Sequence, residues 1–227
     1  MPLVPELSCH RASAVHRIWF ETARFLDDDD ADVPFWSVPW AGGQALARFV
    51  LDRPELVRDR RVLDFACGGG VVAIAAARAG ARVLAVDIDP FARTMTELNR
   101  AANDVSFDVR IADVVGQRVD VDVVLAGDVW YEPKPSARFR RWFQALAARG
   151  ITVLTADSGR PYAPKRAAEL ERYEVPTPFE LEARASRVAR VLSFASSPPP
   201  SSSRARPPSS SRKLASPSPS PARRSRS

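Results

Sequence analysis

Between residues 44 and 155 short apolar runs alternate with amphipathic stretches, the pattern of strands and covering helices in an α/β sheet. Val62, Leu63 and Phe65 make the kind of run that a strand buried on both faces needs, and Cys67, Gly68, Gly69 and Gly70 follow at once. Glycines there let the backbone turn tightly and approach a ligand closely. Residues 71–79 are small and apolar, so a helix of good propensity starts directly after the turn and aims its first amides at that ligand, until Gly80 stops it. Residues 82–86 read as the second strand, 105–111 as the third, the valine-rich 120–127 as the fourth and 151–155 as the fifth. Helices are expected over residues 44–52 with Leu46, Phe49 and Val50 inward, over 91–102 with Phe91, Met95 and Leu98 on one face, and over 136–148 with Phe139, Trp142, Phe143 and Leu146 inward. A last helix over 163–173 and a terminal hairpin within 175–193, with Val188, Val191 and Phe194 in the core, complete the expected elements.

The two ends depart from this pattern. Residues 13–26 read as a short helix with Val15, Ile18, Trp19, Phe25 and Leu26 on one side, followed by four aspartates, 27–30, that form a solvated break. Residues 33–43 set Phe35, Trp36 and Trp40 among prolines 34 and 39, which deny a regular helix and display the rings from a stiff loop. From residue 195 the composition turns to Ser, Pro and Arg with no acid and no aromatic, too polar to offset the entropy of ordering it, so that segment is expected to be disordered. Three parts follow: a lead (1–32), an α/β domain (33–194) and a tail (195–227).

The tail holds seven basic residues against a net charge of +6, which leaves the rest of the chain at −1 and argues against nucleic-acid binding by the folded domain. Two distant cysteines and two histidines, His10 and His16, without ligand spacing point to neither a disulfide framework nor a metal site. The first residues lack both a long apolar core and a small-residue cleavage site, and no apolar run reaches membrane-spanning length, so the expectation is a soluble, cytoplasmic protein away from membranes.

Asp87 closes the second strand 23 positions after Asp64. In dinucleotide folds an acid at that place takes the ribose hydroxyls of the cofactor. The glycine spacing is not that of NAD enzymes, however. Read from Asp64 the string is D-x-A-x-G-x-G, which resembles the first motif of S-adenosylmethionine-dependent methyltransferases with Ala66 in place of the first glycine. Trp36 and Trp40 read either as a lid over the sheet or as a wall of the cofactor pocket. Asp113, just past the third strand, reads either as a turn residue or as a partner for the adenine amino group. Ligands of open α/β sheets lie beyond the C-terminal strand ends where strand order reverses, so the fourth strand should present its last residues, Gly127, Asp128, Val129, Trp130 and Tyr131, to the reacting atoms.

Four segments, PFWSVPWAGGQALARFVLDRP, VLDFACGGGVVAIAAARAGA, VDIDPFARTMTELNRAAN and DVVLAGDVWYE, resemble the seven-β-strand lysine methyltransferases that modify the β-subunit of electron transfer flavoprotein and their bacterial relatives. The W-x-G-G-Q and G-D-x-x-Y strings are the most diagnostic. The resemblance implies a Rossmann-like, seven-stranded methyltransferase sheet with helices on both faces and S-adenosyl-L-methionine as cofactor. It implies Asp64, Ala66, Gly68, Gly70, Asp87, Ile88, Asp113, Trp36 and Trp40 around that cofactor, and Asp128 and Tyr131 holding an incoming lysine of a flavoprotein subunit or similar protein. Two alternatives stay open: a small-molecule N- or O-methyltransferase, and a non-catalytic binding protein on the same scaffold, for which Ala66 is the argument.

Overall fold

The computed structural model describes residues 1–177 and 184–194, so the disorder expected of residues 195–227 lies outside the described residues. The strands are β1 (Arg61–Phe65), β2 (Arg82–Asp87), β3 (Asp108–Ile111), β4 (Val123–Gly127), β5 (Thr152–Asp157), β6 (Ala168–Pro176) and β7 (Ser186–Ser193). They form one mixed sheet in the order β3-β2-β1-β4-β5-β7-β6. The first five run parallel, β7 is antiparallel to β5, and β6 is antiparallel to β7. Strand order therefore reverses between β1 and β4, which places their C-terminal ends at the switch point.

The helices are α1 (Val15–Leu26), α2 (Ala41–Asp52), α3 (Val71–Arg78), α4 (Pro90–Ala102) and α5 (Pro133–Ala148). Alternation along β1 divides the core in two. Val62 joins Leu46, Phe49 and Val50 of α2 and Val72 and Ile74 of α3 on one face. Leu63 and Phe65 join Trp142, Phe143 and Leu146 of α5 on the other. Each such side chain contributes about 1.5–3 kcal/mol when fully buried, so helices on both faces are what the doubly apolar strands demand.

Several expectations are corrected. Residues 163–173 do not form a helix; β6 starts at Ala168 and pairs along β7, with a bulge between Glu169 and Glu171. Its sequence, AELERYEVP, has helix-like composition because an edge strand keeps many polar side chains, and the ladder overrides that local propensity. Val188 points outward at 52% exposure. On α4 the buried residues are Ala92, Thr96 and Asn99, and Leu98 is exposed, because that face of the helix seats on the glycine turn and not on an apolar wall. α1 forms where periodicity placed it, yet only Val15 of its apolar side is buried.

Candidate functional site

The C-terminal rim of the sheet is assembled by close backbone approach. After β1, Ala66, Gly68 and Gly70 all take positive φ, 54°, 53° and 76°. Ala66 thus follows the path that a glycine would, at the strain of about 1–2 kcal/mol that a left-handed non-glycine carries. The turn is pinned from two sides. Thr96 Oγ1 donates to the Gly68 carbonyl (2.9 Å) and Asn99 Nδ2 to the Gly69 carbonyl (2.8 Å). A Cβ at Gly70 would lie 2.7 Å from Thr96 Cγ2, so this contact requires glycine. Asp64 lies beneath the turn, where its Oδ2 accepts the Ala73 N–H (2.8 Å) and solvent does not reach it. Burial pushes its pKa up to about 8, against the lowering effect of that hydrogen bond and with help from the Asp87 charge. Asp64 therefore fixes the start of α3 from below.

Asp87 is the hub of the rim. Its Oδ2 accepts the Gly68 N–H (2.8 Å), and its Oδ1 accepts those of Ile88 (2.8 Å) and Asp89 (3.0 Å). Ile88, next to it, is 73% exposed. A carboxylate beside an uncovered apolar shelf fits a purine nucleoside, with an acceptor for the ribose diol and a face for the base. Asp89 caps α4 by accepting the Phe91 N–H (2.8 Å). Asp113 is also on the rim, exposed, with Oδ1 accepting the Val115 N–H (3.0 Å) and Oδ2 paired with Arg138 (3.0 Å). Those two contacts hold its carboxyl below the usual range.

A strap of aromatics crosses the rim ahead of α2. The Trp36 backbone runs over the glycine turn, since a Cβ on Gly69 would meet its carbonyl oxygen at 3.1 Å and one on Gly68 its Cα at 3.6 Å. Phe35 lies tilted against Tyr131 with centroids 4.9 Å apart, Trp36 stacks on Phe91 at 5.8 Å, and Trp40 leans on Phe35 at 6.0 Å. Trp36 is therefore at the turn, and Trp40 lies against Phe35 in the strap beside it. Burial, with the charges of Glu132, Asp87 and Asp32, pushes the Tyr131 phenol up to about 12, so it stays protonated at neutral pH.

Asp128 sits just past β4 with φ 55° and turns its carboxylate onto the first turn of α2, where Oδ2 accepts the Gly43 N–H at 2.6 Å. A helix N-terminus favours an anion there. The fit is tight: a Cβ on Gly42 would lie 2.7 Å from both Asp128 Oδ1 and the Ala156 carbonyl oxygen, and one on Gly127 would lie 2.9 Å from Gly43 Cα. The structure thus brings Asp128 to α2 and leaves Tyr131 at the aromatic strap. Sequence reasoning assigned no part to Phe35, Gly42, Gly43, Thr96 or Asn99. The paired glycines ahead of Gln44 were the available signal for the α2 contact; a polar residue on a helix face gave none for Thr96 and Asn99. Among the described residues no group of three or more His, Cys, Asp or Glu side chains could hold a metal ion, and no helix is long and apolar enough to cross a membrane.

The family model described as ribosomal protein L11 methyltransferase matches residues 45–127. The electron transfer flavoprotein beta subunit lysine methyltransferase of Danio rerio is 38% identical over 162 residues, covering 70% of this chain and 62% of the relative, so the chain spans less than two thirds of that protein's length. The enzyme of the same name from Mus musculus is 33% identical over 189 residues, 79% of this chain and 73% of the relative. A Pyrococcus horikoshii protein described as a candidate RNA methyltransferase shares the fold, at TM-score 0.53 and 18% identity over 76% of this chain and 95% of that one. From the identity and coverage of the mouse relative, the chain belongs to the family of electron transfer flavoprotein beta subunit lysine methyltransferases.

Proposed function

We propose that the chain is an S-adenosylmethionine-dependent protein-lysine N-methyltransferase acting on the electron transfer flavoprotein beta subunit or a similar protein. The observation that carries this reading is the meeting, on one rim, of the glycine turn, the Asp87–Ile88 pair and the Asp128–Tyr131 segment locked onto Gly42 and Gly43.

Bound S-adenosylmethionine supplies a methyl group already activated on a sulfonium. The chain's own tasks are then alignment and exclusion of water. Asp87 would hold the ribose hydroxyls and Ile88 would offer its exposed side chain to the base, while Gly68 and Gly70 keep the turn free of side chains for the amino-acid end. The nucleophile has to be a neutral amine. A lysine at pKa about 10.4 would have to fall roughly 3.4 units, or about 4.6 kcal/mol, to be half neutral at pH 7, and a smaller neutral fraction still reacts. Phe35, Trp40 and Tyr131 wall the amine from solvent and favour that neutral form. Asp128 has two parts: it anchors α2, and with it the strap that ends at Trp40, and it adds negative charge where an ammonium arrives before losing its proton to solvent. Chain and purified flavoprotein beta subunit, incubated with methyl-labelled S-adenosylmethionine, test the proposal. Mass spectrometry should find the added methyl on lysine; label appearing only in small metabolites of a cell extract, with none in protein, would support the small-molecule alternative and reject ours.

A further inference from the structure

α1 is poorly covered, with Val15 its one buried residue. Phe20 is 67% exposed and Phe25 78%, and Trp19 and Leu26 are exposed as well. A helix that shows this many large apolar groups is an interaction surface more often than a defect. Its C-terminal end is held against the rim. Phe25 meets Phe91, in the first turn of α4, edge-on at 6.1 Å. The chain then reverses at Asp27 (φ 53°), and Trp19 Nε1 donates to the Ala31 carbonyl (2.7 Å), folding residues 27–32 back beside the helix. Asp27, Asp28, Asp29, Asp30 and Asp32 on that fold are all exposed. With Glu21 they oppose only Arg17 and Arg24, a balance of −4 over residues 15–32. Asp32 stands three residues ahead of Phe35, whose ring lies against Tyr131 at 4.9 Å, so the acidic fold leads directly into the aromatic strap proposed to wall the amine.

We propose that the uncovered aromatic side of α1 and the acidic fold after it form the docking surface for a basic segment of the protein substrate that flanks the target lysine. The inference rests on the protein-lysine reading above. Charge complementarity selects the occupant: a lysine-bearing segment is cationic, and opposite charge around an apolar centre steers encounter and sets register. Aromatic groups at that centre supply the binding energy.

The full chain, purified flavoprotein beta subunit and labelled S-adenosylmethionine test it with two variants. One carries Phe20→Ser and Phe25→Ser, and the other carries Asp27→Asn, Asp28→Asn, Asp29→Asn and Asp30→Asn. All six side chains are exposed, so the aspartate variant should melt as the parent does, and the phenylalanine variant, which gives up the Phe25–Phe91 ring contact worth about 0.5–1.5 kcal/mol, should melt only a few degrees lower. The expected result is a rise in KM for the subunit of at least about tenfold in each, with kcat within about twofold. S-adenosylmethionine affinity by calorimetry should be unchanged, and the aspartate variant should lose the salt dependence of KM. Unchanged KM in both variants overturns the inference. Failure of the underlying reading looks different, because the unsubstituted chain then transfers no methyl to the subunit, and the docking inference falls with it. Two further outcomes also overturn it by identifying another occupant. One is a dimer in sedimentation that dissociates in the phenylalanine variant. The other is a full-length variant with its tail cations changed to glutamine in which the α1 substitutions no longer matter.

Discussion

Replacing Gly42 with alanine tests whether the rim depends on backbone contact. The new Cβ would sit 2.7 Å from the Ala156 carbonyl oxygen, 2.7 Å from Asp128 Oδ1 and 2.8 Å from Asp128 Cγ. Neither partner yields easily: the Ala156 carbonyl accepts the Asp128 N–H (2.9 Å), and Asp128 Oδ2 accepts the Gly43 N–H (2.6 Å). Overpacking of this kind costs about 1–3 kcal/mol. Alanine gains up to about 1 kcal/mol over glycine within a helix, less in the first turn, where residue 42 stands. The net expectation is a loss of about 1–2 kcal/mol. For a folded body of this size that is a fall in Tm of about 2–8 °C. Gly43→Ala is the control, because its Cβ would meet nothing nearer than Asp128 Oδ2 at 3.9 Å, and it should be neutral or gain up to about 1 kcal/mol. Urea unfolding followed by circular dichroism measures both. Equal losses in the two variants, or a neutral Gly42→Ala, would refute the contact as the reason for glycine there.

Asp87→Ala removes the acceptor of three rim amides and the proposed ribose ligand, so S-adenosylmethionine affinity should fall about tenfold to a hundredfold by calorimetry, as for hydrogen bonds to a charged group; an unchanged affinity excludes Asp87 from that site. Asp64→Asn should alter pH dependence. The folded Asp64 carboxyl titrates near 8 and an unfolded one near 3.9, so between those values the folded state holds the extra proton and this group's stabilising contribution declines as pH rises, levelling off above 8. Asparagine cannot ionise, so its stability relative to the parent should climb from pH 5 to pH 9; a constant difference across that range would show that Asp64 is already charged at the low end. Ala66→Gly should relieve the positive φ at the expense of a more flexible unfolded chain, a net gain near 0.5 kcal/mol in urea unfolding, and a clear loss would show that alanine is not strained there.

Where chemistry and periodicity agree, the sequence is legible. β1, the glycine turn, α3 and β2 follow from a doubly apolar run, three consecutive glycines, a small apolar stretch and a closing acid, because each local preference points to the same element. The last third is less so. Residues 168–176 carry the charge spacing of a solvated helix, and only the ladder to β7 makes them a strand, an interaction that local sequence cannot register. α4 misleads differently. Its largest apolar residues suggested the inward face, yet the helix turns Thr96 and Asn99 inward because the glycine turn beneath it offers carbonyls that need donors.

The W-x-G-G-Q and G-D-x-x-Y strings, 85 positions apart at Gly43 and Asp128, are one joint. Each supplies a missing side chain where the other supplies mass: Gly42 makes room for the Asp128 carboxylate, and Gly127 makes room for the Gly43 backbone. That reciprocity explains why neither string is interpretable alone, since a glycine pair by itself only marks a turn and a lone aspartate at a strand end is often structural. It also ties the two halves of the site. The strap that lies over the glycine turn at Trp36 enters α2 at Trp40, and α2 is held by the residue that ends the β4 rim. On the proposed reading, a change at Asp128 therefore shifts the strap over the glycine turn as well as the place where the amine would arrive. Asp128→Asn, which keeps an acceptor for the Gly43 amide, should preserve cofactor affinity while slowing transfer, whereas Asp128→Ala should weaken both. Equal cofactor affinity in the two variants, measured by calorimetry, would break the proposed link between the halves.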